Sequence, residues 1–283
     1  MKMNNLIIAG IVSYNPDIDL LKKNIEALIK VNLNIIIVDN HSSNIMEIRE
    51  ATKSEANILI YELESNRGIA NALNSIMNYA FDHNIKWVLT LDQDSIVPCN
   101  IIQDNLKCLK ESNNIGIISP VILDRNIQNK SLELSVTTYS EISTCITSAS
   151  LTSVHIWKEV GGFDEIMFID DVDHEYCFRI RKAGYKIIRN NNVFLSHAIG
   201  ETNEIKIGKK HILVRNHSAF RKYYQARNSI YMDIKCYKKI TMHATKKIFK
   251  LYFKTVFFEK KRLEKIKAIN RGVIDGFKLV KRI

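Results

Sequence analysis

The sequence has no pair of cysteines at C-x-x-C spacing, and its five cysteines, Cys99, Cys108, Cys145, Cys177 and Cys236, are an odd number. That argues against a zinc ribbon and against a disulfide framework, and it fits a reducing cytosol. No run of about 18 apolar residues is present, so no segment reads as a transmembrane helix. The apolar stretch Leu6 to Val12 is too short to span a bilayer and lacks a signal-peptide cleavage region. The expectation is a chain that is neither secreted nor membrane-spanning. Basic charge is also missing from most of the chain. From Lys235 onward there are 16 Lys and Arg against 3 Asp and Glu, a local +13, and since the whole chain carries +11 the remainder is −2. Charge confined to one end, without a stacked-aromatic motif, argues against a nucleic-acid binder. A near-neutral body with one basic extension fits a catalytic domain with a surface anchor.

The 283 residues are enough for one large domain, or one domain plus an extension. Leu6 to Val12 reads as a buried strand ended by Ser13-Tyr14-Asn15-Pro16. Asp17 or Asp19 can cap a following helix, in which Leu20, Leu21, Ile25, Leu28 and Ile29 recur at helical spacing. Asn34 to Val38, Ile58 to Tyr61 and Trp87 to Leu91 read as further strands, with a helix from Ile69 to His83. Strands alternating with helices predict an α/β fold with a doubly wound, mostly parallel sheet. Three strand ends are polar: Ser13-Tyr14-Asn15, Asp39-Asn40 and Asp92-Gln93-Asp94. In an open α/β sheet such ends line one edge, where ligands bind.

Asp92 and Asp94 are one residue apart at the end of the fourth apolar run. Alternate residues of an extended strand share a face, so the two carboxylates can converge on one divalent cation and offer hard oxygen ligands to Mg²⁺ or Mn²⁺. Two solvated turn aspartates are the plainer alternative. Asn66-Arg67-Gly68 reads either as a helix entry, with Asn66 as cap, or as a pyrophosphate site in which Arg67 adds countercharge near helix-start amides.

With these residues in view the chain resembles the family-two glycosyltransferases of the GT-A fold, and within them the bacterial rhamnosyltransferase-like group. The resemblance rests on V-S-Y-N at Val12 to Asn15, V-D-N at Val38 to Asn40, N-R-G-I-A at Asn66 to Ala70 and L-D-Q-D-S at Leu91 to Ser95. It continues in Gly161-Gly162-Phe163-Asp164-Glu165, in Phe168 to Arg179, in Ala183-Gly184-Tyr185, in Ser196-His197-Ala198-Ile199-Gly200 and in Phe220 to Asn228. It assigns 1–232 to a GT-A catalytic domain and leaves 233–283 as a basic amphipathic helical extension.

The resemblance implies an inverting, metal-dependent transferase that moves L-rhamnose from dTDP-L-rhamnose to a lipid-linked surface polysaccharide, O-antigen or capsule. The same fold with a UDP-hexose donor is one alternative. A non-catalytic sugar-nucleotide-binding subunit at the membrane is another. Asp94, Asp92 and His197 are the implied ligands of Mg²⁺ or Mn²⁺. Ser13, Tyr14, Asn15, Asp39, Asn66, Arg67, Gly68, Asp92 and Gln93 are implied to hold the nucleotide-sugar. Arg227 is implied at the pyrophosphate, with Arg221 and Arg215 as rivals.

The resemblance implies a base six residues before the Arg of an apolar-Arg helix, which is Asp173 ahead of Arg179, although Val172 stands where many relatives have Glu. Asp171 and Asp170 are rivals. In the extension, Ala244, Ile248, Leu251, Tyr252, Thr255 and Phe258 form an apolar-leaning stripe, broadened by Phe249, Phe253 and Phe257. Such a helix can lie on the anionic inner face of the plasma membrane, beside the acceptor, or pack on the body or on a second subunit as a homo-oligomer contact.

Overall fold

A computed structural model describes residues 6–124, 137–197, 202–207 and 210–280. The chain forms two compact units, one of Met1–Ile166 with Tyr176–His197, the other of Met167–Glu175 with Ala198–Ile283.

In the first unit the elements run β1 (Ile7–Ser13), α1 (Ile18–Lys30), β2 (Ile35–Asp39), α2 (Ile45–Thr52), β3 (Ile58–Glu62), α3 (Ile69–Asp82) and β4 (Trp87–Asp92). They continue as α4 (Ile101–Glu111), β5 (Ile115–Asp124), β6 (Tyr139–Glu141), β7 (Ser150–Ser153), α5 (Val154–Glu159), α6 (Val172–Lys182) and β8 (Lys186–His197). The first turn of α6 belongs to the second unit, and its remainder to the first.

Side-chain alternation explains the double winding. Ile7, Ala9 and Ile11 of β1 point to one face, where Leu21, Ile25 and Leu28 of α1 and Ile101 of α4 close over them. On the other face Ile76 of α3 lies over Gly10 and Val88. Both sides are buried, so the strands read as continuous Ile/Val/Leu runs. Asp17 caps α1, its carboxylate accepting from the amides of Asp19 and Leu20 at 3.0 and 3.1 Å. At the start of α3 the cap position falls to Gly68, while Asn66 Oδ1 accepts from the Gly68 amide at 3.0 Å.

The strand order is β3-β2-β1-β4-β7-β5-β8-β6. β1 to β4 pair in parallel, as do β5 and β8, whereas β7 runs antiparallel between β4 and β5. The register sets Ser13 beside Asp39 and Val12 beside Asp92, so the polar ends of β1, β2 and β4 lie level on one edge.

The second unit comprises the 167–175 segment, the antiparallel hairpin β9 (Thr202–Ile207) and β10 (Lys210–Arg215), and three helices, α7 (Ala219–Tyr237), α8 (Met242–Phe258) and α9 (Arg262–Val280). Helices α7 and α9 pack with close backbone approach. A Cβ on Gly272 would stand 2.3 Å from the carbonyl oxygen of Tyr223, so no other residue fits without parting the helices. Ala244 and Thr255, two members of the predicted apolar stripe of α8, are buried, and the three between them, Ile248, Leu251 and Tyr252, are partly so. Phe249, Phe253 and Phe257 are exposed and follow one another, Phe249 stacked on Phe253 and Phe253 tilted against Phe257. Among the described residues no helix is long and apolar enough to cross a membrane.

Candidate active site

At the sheet edge of the first unit, Asp39 is fully buried and acts as a hub. Its Oδ1 accepts from Ser13 Oγ at 2.7 Å and from Ser42 Oγ at 2.5 Å, and its Oδ2 accepts from the Ser42 amide at 2.7 Å. Asn15, at φ 45°, locks the same turn by accepting from the Ser43 amide at 2.8 Å. Asn40 Oδ1 accepts from the Arg67 amide at 2.9 Å, which joins the end of β2 to the entrance of α3. Gln93 Oε1 accepts from the Tyr14 amide at 2.8 Å, joining the ends of β1 and β4. Ser13, Tyr14, Asn15, Asp39, Asn66, Arg67, Gly68, Asp92 and Gln93 therefore belong to one bonded rim, with the Tyr14 ring exposed beside it.

The local geometry of Asp92 and Asp94 differs from the strand expectation. Asp92 ends β4, but Gln93 and Asp94 lie in a turn closed by the Ser95 amide donating to the Asp92 carbonyl at 3.2 Å. Strand alternation therefore stops at Asp92, and the turn sets the direction of Asp94. Asn24 of α1, unflagged in the sequence, donates to the Asp92 carbonyl at 2.9 Å and anchors this corner. Both carboxylates are partly buried and supply hard oxygens suited to Mg²⁺ or Mn²⁺. Among the described residues no three His, Cys, Asp or Glu side chains form a metal cluster. The backbone of His197 ends β8, but its side chain lies outside the described residues.

A second structured turn in this unit is 160–165. Gly162 has φ 74°, and a Cβ there would stand 3.0 Å from Asn74 Oδ1. Asn74 is buried in α3 and uses its whole amide. It donates to the Phe163 carbonyl and to Glu165 at 2.9 Å each, and accepts from the Phe163 amide at 2.8 Å and Trp157 Nε1 at 3.1 Å. Arg179 of α6 grips the turn from its own side, donating to the carbonyls of Val160 and Gly162 at 2.6 Å each. Nothing in the local sequence pattern signals Asn74, which is about 90 residues from its partners.

The three acidic candidates lie in the second unit and differ sharply in their engagement. Asp170 and Asp171 both sit at φ 64°, a backbone region costly for residues with a Cβ. Side chains of α7 and α8 hold them there. Arg221 donates to Asp170 through Nε and Nη2 at 3.1 Å. Lys247 Nζ sits 2.6 Å from both oxygens of Asp171. Asn228 donates to the carbonyls of Ile169 and Asp170 at 2.7 and 2.9 Å.

Asp173, in the first turn of α6, has no lysine or arginine partner among the described residues. Its Oδ1 accepts from the His174 amide at 2.9 Å and lies 3.3 Å from His174 Nδ1. Side-chain exposure is 22 % for Asp173, 15 % for Asp170 and 7 % for Asp171. The hydrogen bond to Asp173 and the charges of Asp173 and Asp171 raise the His174 pKa to about 9, against the opposing effects of burial and Lys247. His174 is thus an imidazolium at neutral pH.

Arg227 is 9 % exposed, lies over the Tyr224 ring at 4.5 Å and donates to Asn228 Oδ1 at 2.9 Å. Its guanidinium braces the residue that holds the 169–171 backbone. The side chain of Arg215 lies outside the described residues.

Residues 9–157, more than half of the chain, match the family described as Glycosyl transferase family 2. The chain belongs to glycosyl transferase family 2. A curated relative from Shigella flexneri, dTDP-rhamnosyl transferase RfbF, is 29 % identical over 98 % of this transferase and 97 % of its own length. Among solved structures, the mannosyltransferase PcManGT from Pyrobaculum calidifontis, in complex with GDP-Man and Mn²⁺, superposes with a TM-score of 0.61 at 15 % identity. That match covers 99 % of this chain and 76 % of the other. TarS 1-349 of S. aureus, in complex with UDP-GlcNAc, gives 0.61 at 14 % identity over 98 % of this chain and 83 % of its own. The transferase therefore has the GT-A architecture that the sequence motifs implied, and it is a glycosyltransferase.

Proposed function

We propose that this transferase moves an L-rhamnosyl group from dTDP-L-rhamnose to a lipid-linked surface glycan, with inversion at the anomeric carbon. The observation that carries the reading is near end-to-end similarity to a relative named as a dTDP-rhamnosyl transferase. The rim of Ser13, Tyr14, Asn15, Asp39, Asn66, Arg67, Gly68 and Gln93 is assigned to the nucleotide-sugar. Asp92, Asp94 and His197 are assigned to a divalent cation, Mg²⁺ or Mn²⁺, which when bound offsets charge on the leaving diphosphate. Asp173 is assigned as the base that takes the proton of the acceptor hydroxyl. It is the most exposed of the three aspartates, and Asp170 and Asp171 already spend their carboxylates on Arg221 and Lys247.

The test is a donor screen, with thermal stabilisation and nucleotide diphosphate release read in Mg²⁺ and in Mn²⁺. dTDP-rhamnose is expected to stabilise and turn over ahead of UDP-glucose, UDP-galactose and GDP-mannose. Stabilisation by a UDP-sugar alone would replace the donor assignment.

Residues 1–232 are assigned to the catalytic domain and 233–283 to an extension that contacts the inner membrane surface. The exposed row Phe249, Phe253 and Phe257, flanked by exposed Lys246, Lys250, Lys260 and Lys261, supports that role. Sedimentation with vesicles should show binding to phosphatidylglycerol and little to phosphatidylcholine, weakened in Phe249→Ser/Phe257→Ser. Equal binding to both lipids, or none, would remove the membrane assignment.

A further inference from the structure

Within the second unit, α7 and α9 enclose an open cleft of about 510 Å³ that none of the roles above uses. Its volume lies in the range of small-ligand sites. One wall is aromatic, with Phe220, Tyr223 and Tyr224 of α7. The other is charged, with Glu264, Lys267 and Arg271 of α9. We propose that this cleft binds a sugar ring of the acceptor glycan, a reading that rests on the glycosyltransferase assignment.

Three observations favour a carbohydrate. Phe220 is 56 % exposed at the cleft while Phe168 and Tyr224 pack against it, so its ring is held in place with apolar surface facing the open space. A pyranose presents an apolar C–H face and a rim of hydroxyls, and the cleft opposes aromatic surface to one carboxylate and two cations. The carboxylate can accept from hydroxyls and the cations can donate to them. An acyl chain would set the charged Glu264 and Lys267 side chains against an apolar contact, at a desolvation cost.

The aromatic wall is also built against the segment that leads into the helix turn carrying the candidate base. Phe168, two residues before Asp170, packs edge-on to Phe220 at 5.7 Å and stacks on Tyr224 at 5.1 Å between ring centroids. Arg221, the next residue after Phe220, holds Asp170. Filling the cleft therefore bears on the rings that support residues 168–171. Tyr223 is pinned by its hydroxyl donating to Asp275 at 3.1 Å and by Arg271 5.6 Å above its ring, so part of the wall is preorganised.

The test uses the full chain and saturation-transfer NMR with a panel of methyl glycosides at millimolar concentration: methyl α-L-rhamnoside, methyl β-D-galactoside, methyl β-D-glucoside and methyl N-acetyl-β-D-glucosaminide. At least one should show transfer to its ring C–H protons. Phe220→Ala, a change at an exposed position, should weaken it about tenfold, the scale of one lost aromatic stack, and Glu264→Gln should weaken it independently. Stabilisation by dTDP-rhamnose should be unchanged in both variants. Absence of transfer from every glycoside, or transfer indifferent to both substitutions, overturns the cleft assignment while donor stabilisation stands. Loss of donor stabilisation in the unsubstituted protein would instead overturn the donor reading beneath it.

Discussion

Replacing Glu259 with glutamine is expected to destabilise the helical unit by about 3–5 kcal/mol, the scale for removing one partner from a buried ion pair. The Glu259 side chain is wholly buried between two lysines that are almost as buried, Lys222 at 2.5 Å and Lys265 at 2.9 Å. Lys265 also donates to Asn216 Oδ1 at 2.6 Å. One carboxylate thus serves two ammonium groups that water does not reach. Burial already pushes the Lys222 pKa down, and the contact with Glu259 opposes that shift. In Glu259→Gln the two cations would face each other across a neutral amide. The transition in urea, followed by circular dichroism, should move to lower denaturant. The triple change Lys222→Met, Glu259→Leu, Lys265→Met, which removes every charge from the cluster, should recover most of the loss. A single substitution within about 0.5 kcal/mol of the parent protein, the ordinary scale of a surface change, would show that the cluster does not hold α7 to the segment between α8 and α9.

The contrast between this cluster and the first four strands shows what kind of information the sequence carries. β1 to β4 are found within one residue of their expected bounds, because each is an unbroken apolar run whose end is marked by the first polar residues; in β1, β2 and β4 burial on both faces demands that run, whereas β3, last in the strand order, keeps it although largely exposed. Their order in the sheet was legible only as far as parallel neighbours. That β7 inserts antiparallel between β4 and β5 depends on a pairing across about 60 residues that no local period records. Helix α2 was not anticipated, being only two turns long with two buried residues.

The basic tail was legible only in part. Its lysines count together as the charge of a surface anchor, yet Lys235, Lys247 and Lys265 pair with Glu175, Asp171 and Glu259. Periodicity reports which residues of a helix share a face; it does not report what that face meets. The stripe of Ala244 and Thr255 therefore proved to be an internal seam, and the phenylalanines taken to broaden it form the exposed row. At the candidate site the residue types were legible, but their engagement was not. Asp170, Asp171 and Asp173 are equivalent letters until Arg221 and Lys247 are placed against two of them.

That asymmetry carries the second large expectation. Asp173→Asn should lower the rate of rhamnosyl transfer by about 10²–10⁴, the usual contribution of a general base, while donor stabilisation persists. Asp170→Asn and Asp171→Asn should act differently. Each releases a cation that holds a residue at φ 64°, so the melting temperature should fall, with more residual turnover below it than in Asp173→Asn. A structural readout accompanies the kinetic one. The bond to Asp173 is the largest cause of the raised His174 pKa, so in Asp173→Asn its NMR titration should move from about 9 toward the ordinary 6.5. The sign for stability follows. His174 binds its proton more tightly folded than unfolded, so its contribution is complete below about 6.5 and is lost as pH rises through about 9, a window that should narrow in the variant. Turnover preserved within about tenfold in Asp173→Asn, below the range expected of a general base, but abolished in Asp171→Asn at full folding, would move the base to Asp171. Lys247 would then be the group that must release it before each transfer.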